Sequence, residues 1–232
     1  MILTAHQPVY LPWLGFIHKL SLCDTFVFMD DVDFSRNSMY ARNRIRDFML
    51  TVPTEHQATS GLIKDAKIVD NGWRKKHWTQ IYQSYSKTPY FRRYAEFFEH
   101  LYQRPWERLV DLNYHILKQI LIWFELDIDV KIASEHNFVG SKSTRLIAYC
   151  NRFGADTYVF GLNGKGYADL EAFESADIDV CFQDYRHPTY GQGRSFEPNL
   201  SFIDLLFNCG PDKEIVCNMQ VNKTTLIKGS TF

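Results

Sequence analysis

The sequence predicts an α/β fold of Rossmann-like type, a doubly wound, mostly parallel sheet with a helical insertion, and three observations carry that reading. Short apolar runs alternate with stretches of helical spacing on both sides of a mainly helical block at about 73–126. The runs are continuously apolar, which is the pattern of strands buried on both faces. Several of them stop abruptly at polar motifs, as strands do where a parallel sheet hands over to its ligand-facing loops. With 232 residues, 45% of them hydrophobic, the chain can bury a full core, and 1–232 is expected to form one domain.

The elements follow in order. Met1 to His6 is an apolar run, Leu14 to Cys23 has helical periodicity, and Thr25 to Asp30 is a second apolar run ended by acids. Two buried strands joined by a helix form a βαβ unit. The segment 31–42 is polar and loop-like, and Asn43–Arg46 with Met49–Pro53 reads as a short hairpin. Breaks at Pro89 and Pro105 divide the helical block into three helices, the last from about Trp106 to Phe124. The α/β pattern then resumes with strands at Val130–Ala133, Thr157–Gly161 and Ile178–Gln183 and helices at Ser143–Phe153 and Ser201–Asn208. The last dozen residues, polar with Lys223 and Lys228, read as a frayed tail.

Composition narrows the classes of function. A net charge of -1 provides no global field for nucleic acid or an acidic membrane, so nucleic acid is the less favoured partner. No apolar run approaches the roughly 18 residues that would span a bilayer, which predicts a cytoplasmic protein without membrane insertion. Cys23, Cys150, Cys181, Cys209 and Cys217 stand singly among apolar neighbours and read as buried thiols, with no paired spacing for a metal. A cofactor is left unassigned.

Candidate chemistry collects where strands end. His6 and Gln7 leave the first strand, and Asp30 and Asp31 leave the second. Pro8 and Pro12 stiffen the turn after His6, Tyr10 and Trp13 supply ring faces, and the following helix offers amide donors to an anion. A lone His after a strand can equally be a satisfied structural group. Ser35 to Arg46 concentrates guanidinium and amide donors with no acid until Asp47; Ser35, Arg42, Asn43 and Arg44 are its candidate binders of phosphate or carboxylate, against the alternative of a solvated basic hairpin. Gly161 to Tyr167 follows a strand, and its glycines allow positive φ and close approach to a ligand; Asn163, Gly164, Lys165 and Tyr167 are its binding candidates, although Walker and dinucleotide fingerprints are absent. Ser143 or Thr144 reads as a helix N-cap, flanked by Lys142 and Arg145 as secondary anion binders. Beyond the last core strand, His187 or Glu197 could serve as a general base, with Tyr185 and Asn199 as binding candidates beside them. Together the catalytic candidates are His6, Asp30 and His187, and convergence on one partly aromatic cleft is expected.

The strings His6-Gln-Pro-Val-Tyr-Leu-Pro-Trp-Leu-Gly15, Phe28-Met-Asp-Asp31, Arg42-Asn-Arg-Ile45 and Pro198-Asn-Leu-Ser-Phe-Ile-Asp-Leu-Leu-Phe-Asn208, in this order, resemble the WbqC-like protein family from Met1 to about Gly210. That resemblance implies a group-transfer enzyme of bacterial surface-polysaccharide (O-antigen) biosynthesis, attaching a glycine-like amino acid or an amino or acyl group to a phosphorylated or nucleotide-linked sugar. Pro8 to Trp13 is also similar in position to the H-x-G-H turn of nucleotidylyltransferases, with Tyr10 and Trp13 replacing both histidines. Two rival readings stand beside this one: an amino-acid transferase that modifies a nucleic-acid base, and a non-catalytic nucleotide-sugar-binding module.

Overall fold

The computed structural model describes residues 1–35, 38–55, 61–217 and 227–228. Its centre is a sheet of five parallel strands: β1 (Ile2–His6), β2 (Thr25–Phe28), β5 (Asp129–Ile132), β6 (Thr157–Phe160) and β7 (Asp179–Phe182). A two-residue strand, β8 (Ile227–Lys228), adds antiparallel to β7 in the segment expected to fray. β3 (Arg42–Ile45) and β4 (Phe48–Thr51) form the expected hairpin, apart from the main sheet.

Strand order across the sheet is β5-β2-β1-β6-β7-β8. The chain therefore starts at the middle, winds outward through β2 to β5, and returns to the other side of β1 to lay down β6 and β7. Such a reversal makes the crevice between β1 and β6 the topological switch point. The hydrogen-bond ladder opens there as well. β1 registers with β2 over four residues, from Leu3 opposite Thr25 to His6 opposite Phe28. Against β6 it registers over two, Ile2 opposite Thr157 and Leu3 opposite Tyr158, and beyond them the Thr4 hydroxyl reaches the Val159 carbonyl at 2.7 Å.

Helices cover both faces, which is why the strands are apolar on both. Ile2, Phe26 and Phe28 face a core shared with α1 (Leu14–Ser21), the helical block and α7 (Phe202–Cys209). Leu3, Ala5 and Val27 face the opposite core, under α5 (Lys142–Phe153) and α6 (Leu170–Ser175). The helical block is α2 (Trp73–Tyr85), α3 (Phe91–Gln103) and α4 (Leu109–Trp123), and it docks on α7 through Phe91 and Phe98, whose rings lie 5.1 and 5.3 Å from that of Phe207. A short α8 (Lys213–Cys217) follows α7. Cys23, Cys150 and Cys181 are buried thiols outside any disulfide and Cys209 is half-buried; the Cys217 thiol and Lys223 lie outside the described residues. No helix among the described residues is long and apolar enough to cross a membrane.

Two local expectations are corrected. α5 begins one residue early, with Ser141 as its N-cap, and Thr144 is the third helical residue, accepting from the Ser141 amide at 3.1 Å. Ser143 points away and accepts the Asp169 amide at 3.1 Å. In the Gly161–Tyr167 segment no glycine has positive φ. Leu162–Gly166 is a 3-10 turn, and Gly164 is required because a Cβ there would sit 2.3 Å from Phe160 Cβ. The close approach is to the strand below, and only glycine allows it.

Candidate functional site

A cleft of about 670 Å³ lies at the carboxyl edge of the sheet, over the switch point. From the end of β1 it receives His6 and Gln7; from the first turn of α1, Trp13, Gly15 and Phe16. Asp31 comes from the end of β2, Lys142 and Arg145 from the start of α5, and Asn163 and Tyr167 from the turn after β6. Lys19 of α1 and Gln183 at the end of β7 complete the floor.

The histidine in this wall is neutral by geometry and environment. Its Nδ1 lies 2.8 Å from the Gln7 carbonyl, an acceptor only, so Nδ1 carries the proton and Nε2 keeps its lone pair. Desolvation, then the positive charge of Lys19, lower the His6 pKa to about 4, against a smaller opposing effect of the Gln7 hydrogen bond. Trp13 and Phe16 hold the ring edge-on, with centroids 5.9 and 5.2 Å away. Gly15 keeps that wall thin: a Cβ would meet Trp13 Nε1 at 3.0 Å and Tyr185 Cδ1 at 3.1 Å.

The other polar groups are oriented from behind. Gln183 donates from Nε2 to the Gly15 carbonyl at 2.7 Å and to His18 Nδ1 at 2.8 Å, tying β7 to α1. Burial lowers the His18 pKa to about 4, with Asp184 opposing, so His18 accepts that bond as a neutral ring. Arg145 pairs with Asp31 Oδ2 and donates from Nε to the Tyr149 hydroxyl at 2.6 Å. At the rim, Lys142 begins α5 with φ +48°, a left-handed conformation costly for a lysine, two residues after Gly140 at φ +97°.

Several sequence candidates stand elsewhere. Asp30 is buried behind the cleft, where its two oxygens accept the Ser134 amide at 2.9 Å and hydroxyl at 2.6 Å. Tyr10 is fully buried on the helical block, its hydroxyl 2.9 Å from His77 Nδ1 and 2.6 Å from the Tyr102 hydroxyl. Ser35 closes on the Tyr40 hydroxyl through its backbone. Gly164 is buried against Phe160, and Lys165 lies over the Phe182 ring at 5.7 Å.

The basic hairpin does not line the cleft. Asn43 is buried and donates to the Leu11 carbonyl at 2.6 Å, while its Oδ1 accepts the Arg44 amide. Arg44 pairs with Glu197. Arg42 begins β3 and is likewise outside the lining. Arg46 is enclosed, donating to Asp204, Ser84, Gln192 and Asn208. The acids that neutralise this segment come from 150 or more residues downstream and are invisible in its local pattern.

Tyr185, His187 and Asn199 form a second cluster behind the Trp13–Gly15 wall. The Asn199 amide reaches His187 Nε2 at 3.4 Å, so Nδ1 donates to the Tyr185 hydroxyl at 2.9 Å, and both ring nitrogens are occupied. Burial lowers the His187 pKa, opposed by Asp204. Asn199 takes φ +62°, which asparagine tolerates.

Lys19 and Gln183 are the residues that sequence reasoning did not single out. Gln183 had a signal, since it ends a core strand. Lys19 had none, because a cation in the last turn of a short helix ordinarily offsets the helix dipole at the surface.

Comparison with known proteins places these residues in a family context. The model of the WbqC-like protein family matches residues 7–215. An uncharacterized protein of Mycobacterium tuberculosis (strain ATCC 25618 / H37Rv), Rv1507c, is 28% identical over 218 residues, covering 89% of this chain and 93% of that protein. No solved structure matches the chain.

Proposed function

Because the chain belongs to the WbqC-like protein family, we propose that it is a group-transfer enzyme attaching a glycine-like amino acid, or another amino or acyl group, to a phosphorylated or nucleotide-linked sugar in surface-polysaccharide biosynthesis. The observation that carries this reading is the cleft over the β1/β6 switch, where His6, Gln7, Asn163 and Lys142 meet at the carboxyl edge of the sheet. Open α/β sheets bind ligands at that place. The amide groups of the first turn of α1 have no side-chain cap, and Lys142 adds positive charge at the start of α5, so the site suits an anion.

Catalysis in such a cleft rests on positioning and on fixed electrostatics. Asn163, Gln7 and Asp31 offer hydrogen-bonding groups suited to sugar hydroxyls, and Trp13 and Tyr167 offer ring faces. As the acceptor's amine or hydroxyl forms its bond to the donor carbon, it must lose a proton, and the leaving group departs with its electron pair. His6 Nε2 has the lone pair to receive that proton.

Calorimetric titration with UDP-, GDP- and dTDP-linked hexoses tests the reading. Saturable binding of at least one, reduced by His6→Ala and Asn163→Ala, is the expected result. Binding of none of them, together with salt-sensitive binding of single-stranded DNA, would favour the base-modifying alternative. Tight binding without turnover for any amino donor would favour a sensing module.

A further inference from the structure

Lys19 stands in the mouth of the switch crevice. The Ile2 and His6 carbonyls turn to the β2 side, where they accept the Asp24 and Met29 amides at 2.9 Å each. Alternation along a strand then turns the Ala5 carbonyl toward β6, where the ladder has already ended. The Lys19 ammonium supplies the missing hydrogen bond at 3.0 Å, and its Cδ lies 3.9 Å from where a Gly161 Cβ would be. The side chain is buried and lines the cleft floor. Among the described residues no carboxylate pairs with it; the titratable groups that act on it or feel it are His6 of β1 and Cys23 beyond α1.

A buried ammonium without an acid is unfavourable, and one carbonyl uses only one of its three hydrogens. Burial lowers its pKa to about 8, with Cys23 opposing. It therefore remains mostly charged at pH 7, and a cleft that keeps such a charge is prepared for a ligand that brings the opposite one.

The geometry points to Lys19 as the counter-charge for a phosphoryl group of the ligand, bound between the diverging ends of β1 and β6, with His6 beside it. This rests on the reading of the cleft as an anionic-substrate site and deepens it. Two consequences follow. The phosphate is anchored at the floor, so the transferred group and the sugar extend toward Asn163, Tyr167 and Lys142 at the rim. Neutralising Lys19 also removes part of the positive field on His6, raising its proton affinity when substrate is present.

The test is calorimetric titration of the full chain at pH 7 with inorganic pyrophosphate and with UDP-glucose, for the wild type, Lys19→Met and Lys19→Arg. Loss of a charge-assisted contact predicts about ten- to hundred-fold weaker binding to Lys19→Met, with Lys19→Arg retaining most of the affinity. Equal affinity of wild type and Lys19→Met would overturn the role of Lys19 while leaving the anion site in place. No binding of either probe to the wild type would overturn both. Should Lys19→Met fail to fold, nitrogen-detected titration of Lys19 in the wild type decides: pyrophosphate is expected to raise its pKa from about 8, and an unmoved pKa refutes the contact.

Discussion

Replacing Arg46 with alanine should destabilise the protein by about 3–5 kcal/mol without weakening ligand binding in the folded fraction. Its Nε lies 3.3 Å from Asp204 Oδ1, Nη1 2.7 Å from the Ser84 carbonyl, and Nη2 3.0 and 3.1 Å from the Gln192 carbonyl and Asn208 Oδ1. The guanidinium thus joins the hairpin to α2, to the loop after β7 and to α7. Asp204 is fully buried and has the Tyr190 hydroxyl at 2.9 Å as a further partner, so removing Arg46 strands a buried carboxylate. Removing one member of such a pair costs more than the pair itself contributes. Arg44, half-exposed with its partner Glu197 at the surface, makes the control: an exposed pair is worth about 0–1 kcal/mol. Thermal and urea denaturation of both variants measures the difference, and for a chain of this size the Arg46 variant should melt roughly 6–20 °C lower. A loss below about 1 kcal/mol, or a loss equal to that of Arg44→Ala, would refute the assignment of Arg46 as the buried junction.

Asp30→Ala removes the acceptor for both Ser134 donors and should cost about 1–3 kcal/mol while leaving cleft affinity unchanged; a large affinity loss in folded protein would return Asp30 to the site. Gly164→Ala forces the 3-10 turn off Phe160, costing about 1–3 kcal/mol and weakening any ligand that touches Asn163 or Tyr167, measurable by melting and titration. His6, His18 and His77, all lowered to about 4 chiefly by burial, bind protons more readily unfolded than folded. Stability should therefore be fully present above about pH 6.5 and fall as pH drops toward 4, by up to about 1.4 kcal/mol per pH unit for each ring. A flat stability profile between pH 6.5 and 4.5 would contradict their burial as neutral groups.

The sheet was readable because parallel strands covered on both faces must be apolar throughout, as in Thr25–Phe28 and Thr157–Phe160. Leu170–Ser175 escaped because six residues are too few to display a helical period, although a parallel β6/β7 pair needs a crossover. At the site, strand-end position pointed to His6, Gln7 and Asp31, all of which line the cleft. It pointed equally to Asp30, but past the end of β2 that carboxylate turns to the Ser134 amide and hydroxyl, partners that only the fold brings to it. The Arg42–Arg46 segment looked like an unneutralised anion binder because Glu197 and Asp204 reach it only through the fold. Lys19 was hidden for the opposite reason: its burial, and the lack of an acid partner among the described residues, exist only in three dimensions.

The most direct test of the cleft as the substrate site is a crystal structure grown with whichever nucleotide-linked hexose binds in solution. Density for its phosphates between the ends of β1 and β6, within hydrogen-bonding distance of Lys19, with the sugar toward Asn163 and Lys142, is the expected result. Density seated instead on the Arg42–Arg44 hairpin, or in the groove of α3 and α4 beside Arg93, His100 and Trp123, would contradict it.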